Sequence, residues 1–244
     1  SVSLFSCGQE NKNQEVRASS SISLIILGTL QDAGSPHIAC EKECCAALFE
    51  NHDALRKVVS LGVVDEVAQK TFLFEASPDI TAQLRKLRSK SGFKLTDIPD
   101  GIFITHAHIG HYTGLMYFGK EATNAKQVLV YAMPKIRVFL KENGPWSQLV
   151  NDENIQLKSL ENKQEAQLTE QLKVIPFTVP HRDEFSETVG YRIIGPNKKA
   201  LFIPDIDKWE KWETDIVDEI AKVDFAFLDA TFYDAEEINN RDIS

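Results

Sequence analysis

The chain has 244 residues, of which 43% are hydrophobic and 26% are charged, and this balance is typical of a globular protein with a substantial core. Its formal net charge of -9 argues against a nucleic-acid partner, because binding to phosphates depends on Lys and Arg side chains that displace counterions. No apolar run approaches the roughly 18 residues of a membrane-spanning helix.

The first residues suggest an exported protein. Residues 1–7 read S-V-S-L-F-S-C before a polar stretch, and they resemble the end of a bacterial lipoprotein signal in which Cys7 becomes the lipidated residue. The alternative is a disordered end that happens to contain a cysteine. We expect a disordered tether over residues 1–20 and one domain over residues 21–244. A lipid at Cys7 would hold the protein at the cell envelope, facing the periplasm; without it we expect a cytoplasmic protein.

The remaining chain alternates between short β-branched runs and amphipathic segments. Strands are predicted at 21–29, 71–75, 101–105, 127–131, 172–179, 188–194, 200–203 and 225–228, and helices at 79–90, 134–142 and 208–222. Residues 28–45 are predicted to form a loop and residues 151–171 a polar surface excursion. Strands mixed with helices, without a strict repeat, favour an α/β fold of packed sheets covered by helices.

A cysteine-rich cluster lies in the predicted loop. His37, Cys40, Cys44 and Cys45 follow the spacing H-x2-C-x3-C-C. Thiolates and an imidazole within so short a loop could hold a structural zinc ion that stiffens it. Two alternatives are a disulfide, which suits an exported protein, and buried thiols on a strand over residues 44–49.

Three histidines follow directly on the predicted strand at 101–105. The segment reads G-I-F-I-T-H-A-H-I-G-H-Y-T-G-L, so that His106, His108 and His111 lie on the loop that leaves the strand. A strand end fixes its backbone well, and neutral imidazole is a good ligand for zinc and for iron. The segment therefore predicts a catalytic metal site.

This segment resembles the H-x-H-x-D-H motif of the metallo-β-lactamase superfamily, with Gly110 where the family has Asp. The later segments V-P-H-R-D-E-F-S-E-T-V-G-Y and L-F-I-P-D-I-D-K-W are similar to the family's next ligand motifs. Three further segments resemble those of the branch of the pyrroloquinoline-quinone biosynthesis protein B: G-T-L-Q-D-A-G-S-P, S-P-D-I and F-L-D-A-T-F-Y. The resemblance runs from about residue 21 to the last residue. It implies an αββα sandwich of two mixed sheets flanked by helices.

The resemblance also implies a ligand set. His106, His108 and His181 would form the primary metal site, and Asp205 would bind the metal and accept a proton from water. Alternatively, Asp205 orients a histidine or caps the helix predicted at 208.

A second ion would depend on His111 and on the carboxylate that Gly110 lacks, so the resemblance favours a mononuclear site. Restoring that carboxylate by Gly110→Asp is expected to raise the metal content toward two ions, provided that the family's final His is present. The family also has a final His, whereas none follows His181 here, so we expect the C-terminal part of the fold to lie beyond the sequence given.

These residues predict a metal-dependent hydrolase that acts on a small molecule. The expected cofactor is zinc, as one or two ions, with Fe(II) as a possible replacement. Asp183 or Glu184 could orient His181 or another ligand, or could belong to a solvated acidic loop. The branch resemblance implies a role in quinone-cofactor biosynthesis. Two other functions stay open: an Fe(II)-dependent oxygenase and a non-catalytic ligand-binding protein.

Overall fold

A computed structural model describes residues 22–231, and its strands form two sheets that pack against each other. The predicted tether with Cys7 and the C-terminal residues 232–244 lie outside the described residues, so lipidation at Cys7 stays a prediction. No helix among residues 22–231 is long and apolar enough to cross a bilayer.

The first sheet has six strands in chain order. These are β1 (Ile22–Gly28), β2 (Ser60–Asp65), β3 (Lys70–Phe74), β4 (Gly101–Phe103), β5 (Val128–Ala132) and β6 (Ile155–Ser159). The pairs β1–β2 and β2–β3 are antiparallel, whereas β3 to β6 are parallel. The carboxyl ends of β3, β4 and β5 therefore meet at one edge of the sheet.

The second sheet has five strands in the order β11-β10-β9-β8-β7. These are β7 (Ala166–Gln167), β8 (Lys173–Thr178), β9 (Val189–Ile194), β10 (Lys199–Ile203) and β11 (Phe225–Leu228). Both β8 and β10 pair antiparallel with β9, and β10 pairs parallel with β11. Strands β8, β10 and β11 therefore end at the same edge.

Helices flank these sheets. The α-helices are α1 (Glu43–Glu50), α2 (Ile80–Ser91), α3 (Ile109–Tyr112), α4 (Pro134–Glu142), α5 (Trp146–Asn151) and α6 (Ile216–Ile220), with 3-10 turns at Thr113–Phe118 and Trp209–Lys211. The fold is thus a mixed α/β sandwich with two mixed sheets, as the sequence predicts.

Aromatic rings from both sheets fill the space between them. Phe74 and Phe103 stack with their centroids 4.7 Å apart, and the ring of Tyr191 packs edge-on against both, at 5.3 and 5.6 Å. All three side chains are fully buried, and the Tyr191 hydroxyl donates a hydrogen bond to the Ile104 carbonyl at 2.6 Å. This contact holds the end of β4, from which the histidine loop leaves, against the second sheet.

The predicted helix over residues 208–222 is wrong. The structure has a 3-10 turn at Trp209–Lys211 and a separate short helix, α6, with Asp215 accepting a hydrogen bond from the Val217 amide as its N-cap. Between them, the Trp212 ring stacks on Phe177 and its indole N–H donates to the Thr178 carbonyl. Packing of Trp212 against the second sheet therefore overrides the local helical pattern.

Two other predictions need correction, and one strand was missed. The polar segment 151–171 contains β6 and β7, because the parallel partner β5 supplies the backbone hydrogen bonds that make β6 a strand. The alternative of a strand over residues 44–49 is wrong, since this segment lies in α1, whose alanines and leucine favour a helix. Strand β2 was not predicted, because its glycine interrupts the apolar run.

Candidate metal centre

The histidines and Asp205 come together at one edge of the sandwich. His106 and His108 follow β4, and His111 lies in α3 directly after them. His181 follows β8 and Asp205 follows β10. Because these strands end on the same side, residues far apart in the sequence converge on one point, as is usual at the carboxyl ends of strands in α/β folds.

Three imidazole nitrogens face each other in this centre. His106 Nε2 lies 2.8 Å from His108 Nδ1, which in turn lies 3.1 Å from His181 Nε2. An sp² ring nitrogen carries either one hydrogen or one lone pair, so His108 Nδ1 cannot form a good hydrogen bond with both neighbours. Hydrogen bonding therefore does not account for the cluster, whereas a cation shared by three lone pairs does.

Asp205 completes a four-ligand set with these imidazoles. Its Oδ2 lies 3.5 Å from His106 Nε2 and 3.5 Å from His181 Nε2, and the four residues form a group whose ligand atoms all lie within 4.8 Å of one another. Tetrahedral zinc with Zn–N distances of roughly 2.0–2.1 Å places neighbouring ligand atoms about 3.3 Å apart. The separations of 2.8, 3.1, 3.5 and 3.5 Å given above lie around this value, so the group can close on one such ion.

Oxygen atoms hold the outer nitrogens of two rings. His106 Nδ1 lies 2.8 Å from Thr105 Oγ1, and His108 Nε2 lies 2.9 Å from Glu184 Oε2. When an outer N–H donates to oxygen, the inner nitrogen presents its lone pair to the centre. His181 differs, because its Nδ1 is buried with no hydrogen-bond partner among the described residues.

His111 is oriented by Glu75, which sequence reasoning missed. Glu75 Oε2 lies 3.2 Å from His111 Nδ1, and both side chains are fully buried. Glu75 follows β3 with φ 73°, in the left-handed region that non-glycine residues rarely adopt. A carboxylate at the end of a buried strand next to the histidine strand is the signal that could have identified it. His111 Nε2 then points toward Asp205 Oδ2, at 3.3 Å.

Burial and neighbouring charges set the protonation of the centre. Burial lowers the pKa of His106 well below its usual value, and it also lowers the pKa of His181. At His111 burial acts in the same direction, but the carboxylates of Glu75 and Asp205 outweigh it and raise the pKa to about 10. Burial raises the pKa of Asp205, but His111 and the other imidazoles more than offset this and keep it below its usual value. His106 and His181 are thus neutral near pH 7, as metal binding requires.

Two further contacts hold the ligand loops. The Asp229 carboxylate, which follows β11, accepts a hydrogen bond from the Ile206 amide at 3.2 Å and so fixes the backbone beside Asp205. The Ala107 amide donates to Ser186 Oγ at 2.8 Å and ties the histidine loop to the loop of His181.

The two carboxylates that were predicted to orient a ligand differ in their contacts. Asp183 accepts a hydrogen bond from Thr188. Of the two predicted orienting carboxylates, only Glu184 contacts an imidazole, and that imidazole is His108.

A comparison with protein-family models agrees with this geometry. The model described as "Beta-lactamase superfamily domain" matches residues 70–243, which is more than half of the chain. The chain belongs to the beta-lactamase superfamily. A search of curated proteins gives no significant match.

Solved structures show the same superfamily fold. Zn(2+)-bound PqqB from Methylobacterium extorquens superposes with a TM-score of 0.72 at 20% identity, covering 89% of this chain and 75% of that one. A diphosphatase from the PhnP family superposes with a TM-score of 0.50 at 24% identity, covering 74% of this chain and 63% of that one. At these identities the likeness establishes the fold, and the predicted superfamily membership is confirmed.

At Gly110, where the superfamily motif has Asp, the space for a side chain is occupied by Asp32 of the loop after β1. A Cβ atom added at Gly110 would overlap the Asp32 Cβ and lie 2.9 Å from the Asp32 Cα and 3.0 Å from its carbonyl oxygen. A side chain at 110 must therefore displace backbone, and such overpacking typically costs about 1–3 kcal/mol. The effect of Gly110→Asp on the metal content stays a prediction, but the added side chain would have to displace Asp32.

The cysteine cluster is compact, but His37 lies outside it. The thiols of Cys40, Cys44 and Cys45 lie within 4.8 Å of one another, and the Sγ atoms of Cys44 and Cys45 are 3.9 Å apart. Tetrahedral zinc with Zn–S distances of roughly 2.3 Å places sulfurs about 3.8 Å apart. All three cysteines are free thiols, and the His37 ring contacts the Ile38 carbonyl instead. The geometry suits a three-thiolate site better than a disulfide.

Replacing Cys40 and Cys44 with serine is expected to remove one zinc ion per chain and to lower the melting temperature by several degrees, because a structural ion contributes its binding free energy to folding. Elemental analysis and thermal unfolding of the zinc-loaded protein measure both effects. The double variant Thr81→Ala with Ser89→Ala, at two exposed positions of α2, serves as a control. An unchanged zinc content and melting temperature in the cysteine variant would refute the structural site.

Proposed function

We propose that this protein is a metal-dependent hydrolase whose ion is held by His106, His108, His181 and Asp205. The main observation behind this proposal is that three imidazole nitrogens and one carboxylate oxygen converge on one point. Their separations fit one ion, and hydrogen bonding does not explain them. Three imidazoles with one carboxylate are a ligand set that suits zinc. The likeness to zinc-bound PqqB supports zinc as the ion.

When bound, such an ion supplies Lewis-acid chemistry, which polarises a substrate oxygen and makes water a nucleophile near neutral pH. Asp205 is ionised under these conditions, because its pKa lies below its usual value, and its carboxylate can accept the proton of the attacking water. The centre opens to solvent on this side: 23% of the Asp205 side chain is exposed, compared with 1% for His106. A small substrate can therefore reach Asp205, whereas His106 is shielded from solvent.

We also propose that the protein acts in quinone-cofactor biosynthesis. This role is supported by the sequence segments shared with the protein B branch and by the common fold with PqqB. A lipid anchor at Cys7 would instead place the enzyme at the cell envelope, so mass spectrometry of Cys7 from native membranes is the measurement that bears on its location.

The test measures metal content and turnover together. The purified protein is analysed for bound zinc and iron and is assayed against esters, lactams and phosphodiesters before and after chelation. We expect hydrolysis that disappears with the chelator and returns with zinc. Oxygen consumption that requires Fe(II), with no hydrolysis, would establish the oxygenase alternative and overturn the proposal. A protein that holds no ion in this centre would overturn it as well.

A further inference from the structure

A cavity of about 350 Å³ is lined by the 3-10 turn Thr113–Phe118, the loop that follows it and α5. We propose that this cavity binds a small uncharged aromatic compound that carries one N–H or O–H group. No lining residue that the structure describes is a ligand of the metal centre, so the inference does not depend on the proposed function.

The walls of the cavity are mostly apolar. They include the side chains of Met116, Tyr117, Trp146 and Leu149. The ring of Trp146 is held in place by Tyr112, which packs edge-on against it with the centroids 5.0 Å apart. Sites for small molecules range from about 300 to 1,000 Å³ and have such walls with a few polar groups. The volume and the aromatic walls suit a flat compound of one or two rings.

Asn154 supplies a polar group at this cavity. Its side chain is fully buried, and its Nδ2 donates hydrogen bonds to the Ala125 carbonyl at 2.9 Å and to Asn124 Oδ1 at 3.2 Å. Its Oδ1 is buried as well, but it has no hydrogen-bond partner within residues 22–231. A buried acceptor without a partner is costly, so this oxygen indicates a ligand with a donor group.

The charges around the cavity favour an uncharged ligand. Lys120 and Glu121 are the charged residues among those that the structure describes in the lining, and their charges cancel. Lys120 Nζ forms an ion pair with Asp152 Oδ2 at 2.9 Å, so this ammonium group is already engaged. The lining therefore offers no unpaired cation that could bind a phosphate or a carboxylate.

The test compares indole with N-methylindole as ligands. Isothermal titration calorimetry measures their affinities for the zinc-loaded protein. We expect indole to bind at one site with a dissociation constant below about 1 mM. N-methylindole lacks the N–H donor, so we expect it to bind at least about threefold more weakly. Burial of apolar surface alone predicts the opposite order, because the methyl group adds apolar area.

A fluorine label and a variant locate the bound indole. In protein labelled with fluorotryptophan, indole should shift the fluorine resonance of Trp146 and leave those of Trp209 and Trp212 unchanged. Ala122→Phe adds a ring at the cavity and should weaken indole binding by at least about tenfold, because it fills space that the ligand needs. Ala82→Phe, at an exposed position of α2, is the matched control and should bind indole like the unmodified chain.

Three results would overturn the inference. The first is an absence of indole binding to the unmodified chain, and the second is binding that Ala122→Phe leaves unchanged. The third is equal or tighter binding of N-methylindole, which would contradict the hydrogen bond to Asn154. A protein that binds indole in this way but hydrolyses nothing would refute only the proposed function.

Discussion

Replacing His106 with alanine is expected to weaken zinc binding at the centre by at least about 100-fold and to abolish measurable hydrolysis. His106 is buried, its Nε2 contacts both His108 Nδ1 and Asp205 Oδ2, and Thr105 holds its other nitrogen. Competition with a chelator of known zinc affinity measures the change, and His52→Ala, at an exposed histidine in the loop after α1, is the control.

The comparison with His111→Ala makes this prediction specific. His111 contacts Asp205 but does not belong to the four-residue group, so its loss should leave the first ion in place and lower activity by removing a neighbouring charge or ion. Equal losses of the first ion in the His106 and His111 variants would show that the centre is organised differently.

Replacing Asp205 with asparagine should lower kcat roughly 100- to 10,000-fold, as expected for loss of a general base. The amide keeps the shape of the carboxylate but can neither accept a proton nor balance the positive charge of the ion and of His111. Turnover is to be measured at saturating zinc, so that weaker binding is separated from slower chemistry.

Asp218→Asn, at an exposed position of α6, controls for the loss of a surface charge in this second prediction. An Asp205→Asn enzyme with normal kcat once zinc is restored would show that the carboxylate is a ligand without a role in proton transfer.

The sequence predicts the centre well where its signal is local. His106, His108 and His111 lie within six residues of one strand end, and such spacing is readable without a structure. Glu75 and Asp32 could not be found in this way, because each reaches the histidine loop only through the fold. The consequence is largest at Gly110, where the motif alone indicates a lost ligand and the structure shows that its space is filled.

The fold was predictable where strands are buried on both faces. Strands β4 and β10 read as continuous apolar runs, which is typical of strands covered on both sides. Strand β6 is polar and becomes a strand only through its pairing with β5, and residues 208–222 bend because Trp212 packs on Phe177. In both cases tertiary contacts outweigh the local preference of the sequence.

The metal centre joins the two sheets of the sandwich, which come from successive parts of the chain. Strands β1 to β6 build one sheet and β7 to β11 the other, and the described strands form no pairs across the two. His106 and His108 come from the first part, whereas His181 and Asp205 come from the second. An ion bound by all four would add a removable link to the hydrogen bonds that already join the two sheets, such as the one from the Tyr191 hydroxyl to the Ile104 carbonyl, and its binding free energy would add to their cohesion. The supply of metal in the surroundings would then affect the stability of the sandwich, in addition to the proposed activity.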